Sequence, residues 1–203
     1  MMNLFSYRVE HDYGLAPNPF HNYCTLAICK PSIRGNDNLS IGDWVVGTGS
    51  KSLENTNHLI YAMKVEEKLP FNKYWNDSRF QCKKPIINGS LVKMYGDNIY
   101  HQDISTKNWI QENSAHSLTS KQPNAKHLET DISGKYVLVS KEFYYFGENA
   151  PAIPDELIKV CNKGRNMQYK KIPPILRIKF IKWIEDNYQN GIHGDPVSWC
   201  NHL

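Results

Sequence analysis

The chain has 203 residues, enough for one large domain that buries its own core without disulfide or metal staples. Its 40% hydrophobic and 22% charged residues are globular composition, which sets disorder aside as a starting point. The formal net charge of +4 is too small to define a partner by itself, so the placement of charge carries the information.

In chain order, Leu4 to Glu10 alternates Phe5, Tyr7 and Val9 with Ser6, Arg8 and Glu10, the period of a half-buried strand. Gly14, Pro17, Asn18 and Pro19 then predict an ordered loop. Tyr23 to Lys30 (YCTLAICK) reads as a second strand ended by Pro31, with Leu26 and Ile28 toward the core and Tyr23 and Thr25 on the other face. A Gly42-Asp43 turn launches a strand from Trp44 to Gly47, and Leu59 to Glu66 alternates again. Residues 68–130 show weak periodicity; short helices are expected near Phe71 to Phe80 and Thr106 to Ser114, with strand pieces between. Tyr136 to Phe146, rich in Val, Tyr and Phe, is the strongest strand signal. Pro154-Asp155-Glu156 starts a short helix, and Pro173-Pro174 a long one from Ile175 to about Asn190, stopped by Gly191. Arg177 falls in the apolar sector of that helix and needs a partner or a route to water.

Strands that precede the only long helix predict an α+β layout. The expectation is a single domain over 1–203, whose β-rich core (1–150) carries a loop-rich insertion near 68–130 and whose helical part (151–203) packs on that core. The sheet is expected to be curved, mostly antiparallel and barrel-like, since closure hides strand edges.

Cys24, Cys29, Cys82, Cys161 and Cys200 are scattered, odd in number and without a CxxC pair. That argues against a disulfide framework and a structural zinc site, so no metal and no cofactor are expected. No basic stretch followed by an apolar run opens the chain and no segment approaches a membrane span, which predicts a cytoplasmic protein with no membrane partner.

Three constellations can carry chemistry. Asp12 to Arg34 gathers Asn18, His21, Tyr23, Lys30 and Arg34 around a stiff Pro-Asn-Pro loop; the structural alternative is a turn cap and surface residues. Gly47 and Gly49 in the hairpin Gly42 to Lys51 would admit a ligand, with Lys51 on a phosphate, although the spacing matches no phosphate-loop pattern. Tyr74 to His101 interleaves Arg79, Lys83 and Lys84 with aromatics such as Trp75, and offers Asp97 and His101 as an acid/base pair. Ordinary ion pairs explain that stretch equally well. His116 and His127 are further candidates, each as readily a structural histidine. From Lys159 to Lys182 eight basic residues occur with no acidic one, either a phosphate-contacting surface or a solvated face.

The segments FSYRVEHDYGLAPNPFHNYCTLAICKPSIR, GDWVVGTGSK, IYAMKV, YWNDSRF, GDNIYH and VLVSKEFYYFG resemble the bacterial and phage family called nucleotide modification associated domain 2. The resemblance covers most of residues 4–154 and implies a link to DNA or nucleotide modification, without assigning residues. More loosely, the order GDWVVGTGS, LIYAMKVEEKLPF and YW is similar to PUA-like modified-base readers of the EVE and YTH type.

Two functions stay open. A reader of DNA would hold a modified base with Asn18, Tyr23 and Trp44 or Trp75, and the backbone with Lys51, Arg79, Lys83 and Lys84. An enzyme on a free nucleotide or nucleotide sugar would use His21, Asp97 and His101 as acid/base groups, with Lys30 and Arg34 on the phosphate. A third option is an interaction module of a phage-defence or mobile-element system. The pocket is expected where Asn18, His21, Tyr23, and Lys30 or Arg34 meet Trp44, Trp75 or His101, and replacing Asn18 or His21 should remove ligand binding at an unchanged Tm.

Overall fold

The computed structural model describes residues 2–164 and 166–202. In chain order it contains β1 (Leu4–Arg8), β2 (Cys24–Leu26), α1 (Pro31–Arg34), β3 (Trp44–Thr48), β4 (Leu59–Lys64), β5 (Glu67–Pro70), α2 (Phe71–Asn76) and α3 (Leu91–Met94). There follow β6 (Tyr100–Gln102), β7 (Trp109–Gln111), α4 (Ala125–Ile132), β8 (Tyr136–Ser140), β9 (Phe143–Tyr145), α5 (Pro174–Asn187) and β10 (Gly191–Ile192). The chain divides into two compact units: Met1–Tyr13, Leu39–Glu66 and Ser140–Leu203 form the first, Gly14–Asn38 and Glu67–Val139 the second.

The first unit holds a five-stranded sheet in the order β1-β3-β4-β9-β10. β1 with β3 and β9 with β10 are parallel, whereas β3 with β4 and β4 with β9 are antiparallel. Leu59 to Met63 of β4 are all buried, the mark of a strand covered on both faces. Leu4, Trp44, Val46 and Ala62 share a core cluster with Leu157, Val160, Leu176, Phe180 and Ile184. Fully burying a side chain such as Phe180 contributes about 1.5–3 kcal/mol. Arg177 finds its partners inside the unit: its guanidinium donates to the carbonyls of Ile172 (2.8 Å), Met2 (3.1 Å) and Tyr169 (3.3 Å) and to Asn3 Oδ1 (2.8 Å).

The second unit holds a three-stranded sheet β2-β8-β5 and the antiparallel pair β6-β7. α4 is N-capped by Asn124, whose side chain accepts from the His127 N–H at 3.3 Å.

The mixed α+β class holds, but the sheets are several, and among the described residues none closes into a barrel. Three local effects redirect the chain. Tyr136 to Phe146 breaks at Lys141 and Glu142, so that β8 and β9 lie in different sheets. YCTLAICK keeps only three strand residues, because Cys29 and Lys30 turn into the left-handed region ahead of α1. Thr106 to Ser114 is a hairpin rather than a helix: Asp103 Oδ1 accepts from the Ser105 (2.9 Å) and Thr106 (2.7 Å) N–H groups and closes the turn between β6 and β7.

Candidate catalytic site

Within the second unit, β2 leads through a short bend to Cys29 and Lys30, with φ of 56° and 43°, and α1 then starts on Pro31. Two successive non-glycine residues in the left-handed region cost on the order of 1–3 kcal/mol each and persist only where the surroundings hold them. Here they do. The Cys29 N–H donates to Asp131 Oδ1 at 2.6 Å, and the Cys29 carbonyl accepts from Arg34 Nε at 2.7 Å. The half-buried Cys29 thiol is thereby aimed at His116, with Sγ 3.7 Å from Nε2.

The other ring nitrogen of His116, Nδ1, lies 3.0 Å from Asp131 Oδ2. The His116 carbonyl accepts from Gln111 Nε2 at 3.3 Å, so the turn after β7 fixes the ring's position. Asp131, near the end of α4 and buried, also accepts from the Tyr100 hydroxyl at 2.9 Å. Arg34 closes the group from behind. Its buried guanidinium donates to the carbonyls of Asp131 (2.5 Å) and Tyr136 (2.8 Å) and lies 4.0 Å from Asp131 Oδ1.

The electrostatics follow from these contacts. Burial works against a charged His116, but its bonds to Asp131 and Cys29 outweigh that and push its pKa up to about 9. Burial likewise disfavours the Asp131 carboxylate, while the bond from His116 and the charges of His116 and Arg34 hold it below the usual carboxylate range. A thiol, an imidazole and a carboxylate in line, with the carboxylate on the far ring nitrogen, have the geometry of an activated nucleophile, its base and the group orienting that base. The same three residues offer donor atoms within 4.8 Å of one another, which also suits a metal ion.

The structure places the residues singled out from sequence in several different settings. Asn18, Lys83 and Asp97, each 1% exposed, form an internal polar network of the second unit. Lys83 Nζ donates to Asn18 Oδ1 (2.6 Å) and to the carbonyls of Asn18 (3.0 Å) and Tyr23 (2.9 Å). Burial, the largest influence, brings the Lys83 pKa down to about 8. Asp97 accepts from the Thr25 and Tyr74 hydroxyls, both at 2.6 Å, and burial pushes its pKa up. His21 has φ 61° and a buried Nε2 with no hydrogen-bond partner among the described residues, and burial lowers its pKa.

His101 bonds to Glu112 (2.8 Å) and stacks on Trp75 at 3.9 Å. Lys84 Nζ covers the Trp75 ring at 3.4 Å, so the indole is already engaged by two side chains of its own unit. Arg79 is committed to Glu67 (2.6 Å) and Asp77 (2.7 Å). Lys30 is the half-buried residue ahead of α1, and Arg34 is the buried clamp described above rather than a surface phosphate ligand. Trp44 is 2% exposed in the core of the first unit, because β3 is an inner strand. Lys51 lies exposed on a cavity of that unit. The two glycines of its hairpin make room for the protein itself: a Cβ on Gly47 would meet the Tyr61 ring at 2.3 Å, and one on Gly49 the Asn55 carbonyl at 2.0 Å. Of the basic run, Arg165 lies outside the described residues.

Sequence reasoning misses Asp131 and finds in Cys29 only one of five scattered cysteines without a zinc-ligand pair. Cys29 stands 87 residues from His116 and 102 from Asp131, so no local spacing announces the group. The one signal is a cysteine directly before Lys-Pro where a strand ends.

Fold and site together define a mixed α+β protein with a cysteine–histidine–aspartate cluster. The family model for nucleotide modification associated domain 2 matches residues 1–203, and the chain belongs to that family. No curated protein and no solved structure matches the chain. Among the described residues no helix is long and apolar enough to cross a membrane.

Proposed function

We propose that the second unit is a cysteine-dependent transferase or hydrolase acting on an acyl or amide group carried by a nucleotide or a modified base. The carrying observation is the alignment Cys29 Sγ, His116 Nε2, His116 Nδ1, Asp131 Oδ2, with steps of 3.7 and 3.0 Å. The substrate class is supported by family membership, which links the chain to nucleotide modification.

In the proposed reaction the Cys29 proton resides on His116 Nε2, and the sulfur attacks the substrate carbonyl carbon. The C–N or C–O bond breaks, and the leaving amine or alcohol takes the proton from His116. The resulting thioester is resolved by water or a second nucleophile, whose proton returns to His116. Asp131 stays ionised and holds the ring by accepting from Nδ1–H.

The direct test is mass spectrometry of the protein after incubation with acylated nucleotides and with DNA carrying amide- or ester-modified bases. An adduct on Cys29 in the wild type that disappears in Cys29→Ala supports the reading, and full turnover by Cys29→Ala would overturn it. A second reading rests on the same donors: Cys29 and His116 as ligands of a zinc ion, with Asp131 behind the histidine. Stoichiometric zinc in the purified protein, lost in Cys29→Ala, would select it.

A further inference from the structure

The first unit contains a cavity of about 260 Å³ lined by Arg8, Lys51, Lys163, Asn162, Thr48 and Ser50, among others. None of its lining residues is acidic, so three cations face one concave space with no counter-charge in its wall. Arg8 and Asn162 of the wall each carry a side-chain donor, Nε and Nδ2, that is buried and has no hydrogen-bond partner among the described residues. Asn162 is 7% exposed, and its Oδ1 is held by the Gly164 N–H at 3.0 Å, which fixes the amide's orientation.

The wall is preformed. Arg8 ends β1 in register with Thr48, and the following turn is tied by Asn55 Oδ1, which accepts from the Ser50 N–H at 3.2 Å. The backbone N–H of Asn55 donates back to the Ser50 carbonyl at 3.3 Å. Burial pushes the Cys161 thiol, also in the wall, up to about 11, so it adds no negative charge.

We infer that this cavity is a binding site for a phosphate group, with the Arg8 guanidinium donating to its oxygens and Lys51 and Lys163 neutralising its charge. An oxyanion supplies what the wall lacks: several acceptors at one point, and negative charge opposite three cations. A cation would meet three like charges, and an apolar ligand would leave those three charges without a partner. The inference is independent of the cysteine site in the other unit.

The test is calorimetric titration at low ionic strength with four probes: inorganic phosphate, thymidine 5′-monophosphate, thymidine and the dinucleotide phosphodiester of thymidine. Saturable 1:1 binding of inorganic phosphate and of the monophosphate, with none of thymidine, is expected. Arg8→Gln and Lys163→Gln should each weaken it at least tenfold, and Lys182→Gln, on an exposed face of α5, should leave it unchanged. Lys163 is exposed, so its replacement keeps the test valid if Arg8→Gln folds poorly. Equal binding of the phosphodiester would point to a nucleic-acid backbone as the source, and its exclusion to a free nucleotide. Wild-type protein that binds neither phosphate nor the monophosphate, or affinity unchanged in Lys163→Gln, would overturn the site.

Discussion

His116 Nδ1 lies 3.0 Å from Asp131 Oδ2, and that bond links the turn after β7 to α4 across a buried carboxylate. It does more than orient a ring. It holds His116 in its protonated form well above the ordinary range of a histidine, against burial. Asp131→Asn should therefore lower the His116 titration midpoint from about 9, since only the contact with Cys29 would then oppose burial. Histidine-detected NMR through a pH series measures it, and an unchanged midpoint would refute the assignment.

The same raised value makes a prediction about stability. Because the folded pKa of about 9 exceeds the unfolded value of 6.5, the contribution is fully present below about pH 6.5 and is lost as pH rises through 9. Its size is on the order of 3 kcal/mol, from about 1.4 kcal/mol per pH unit. Lys83 works in the opposite sense. Its lowered folded pKa of about 8 means that a destabilising contribution fades as pH rises above 8. The difference in unfolding free energy between wild type and His116→Gln, followed by urea denaturation from pH 6 to 10, isolates the histidine. That difference should shrink as pH climbs.

Cys29 should be the selectively reactive thiol once the exposed Cys82 and Cys200 are changed to Ser, because Cys24 and Cys161 are buried. In that background, iodoacetamide should label Cys29 several-fold faster than in the His116→Ala variant at pH 7. Equal rates in the two proteins would separate Cys29 from His116 chemically.

Arg34→Lys should destabilise the protein by about 3–5 kcal/mol, the range for breaking a buried charged group's partners. A lysine cannot reproduce the planar fork that reaches Cys29, Asp131 and Tyr136 at once. Denaturant midpoints read this directly. A loss under 1 kcal/mol would remove Arg34 as the clamp of the site.

Asn18→Ala should lower the Tm rather than leave it unchanged. The Asn18 side chain accepts from Lys83 and from the Phe20 N–H (3.3 Å) and donates to the Tyr95 carbonyl (3.0 Å). Leaving these groups unpaired in the interior costs about 1–3 kcal/mol for each. Thermal unfolding decides it, with no shift counting against the structural role.

The residues by themselves determined the mixed α+β class, the positions of β1, β3, β4 and α5 within a few residues, and the family. Those features rest on local alternation, on proline and glycine at element ends, and on a long run of matching sequence. Tertiary structure decided the sheet partition and the site. β1 pairs parallel with β3 although residues 14–38 of the other unit lie between them in the chain, and no periodicity encodes that choice. Polar density in Asp12 to Arg34 looked like a cleft, yet Asn18, Thr25 and Arg34 are buried, because each finds partners far away in sequence. A buried polar group and a ligand-facing one have the same composition; what separates them is whether the fold brings a partner. The cysteine, histidine and aspartate of the site became legible only when β2, the turn after β7 and α4 met around Arg34, since long-range hydrogen bonds leave no spacing in the chain.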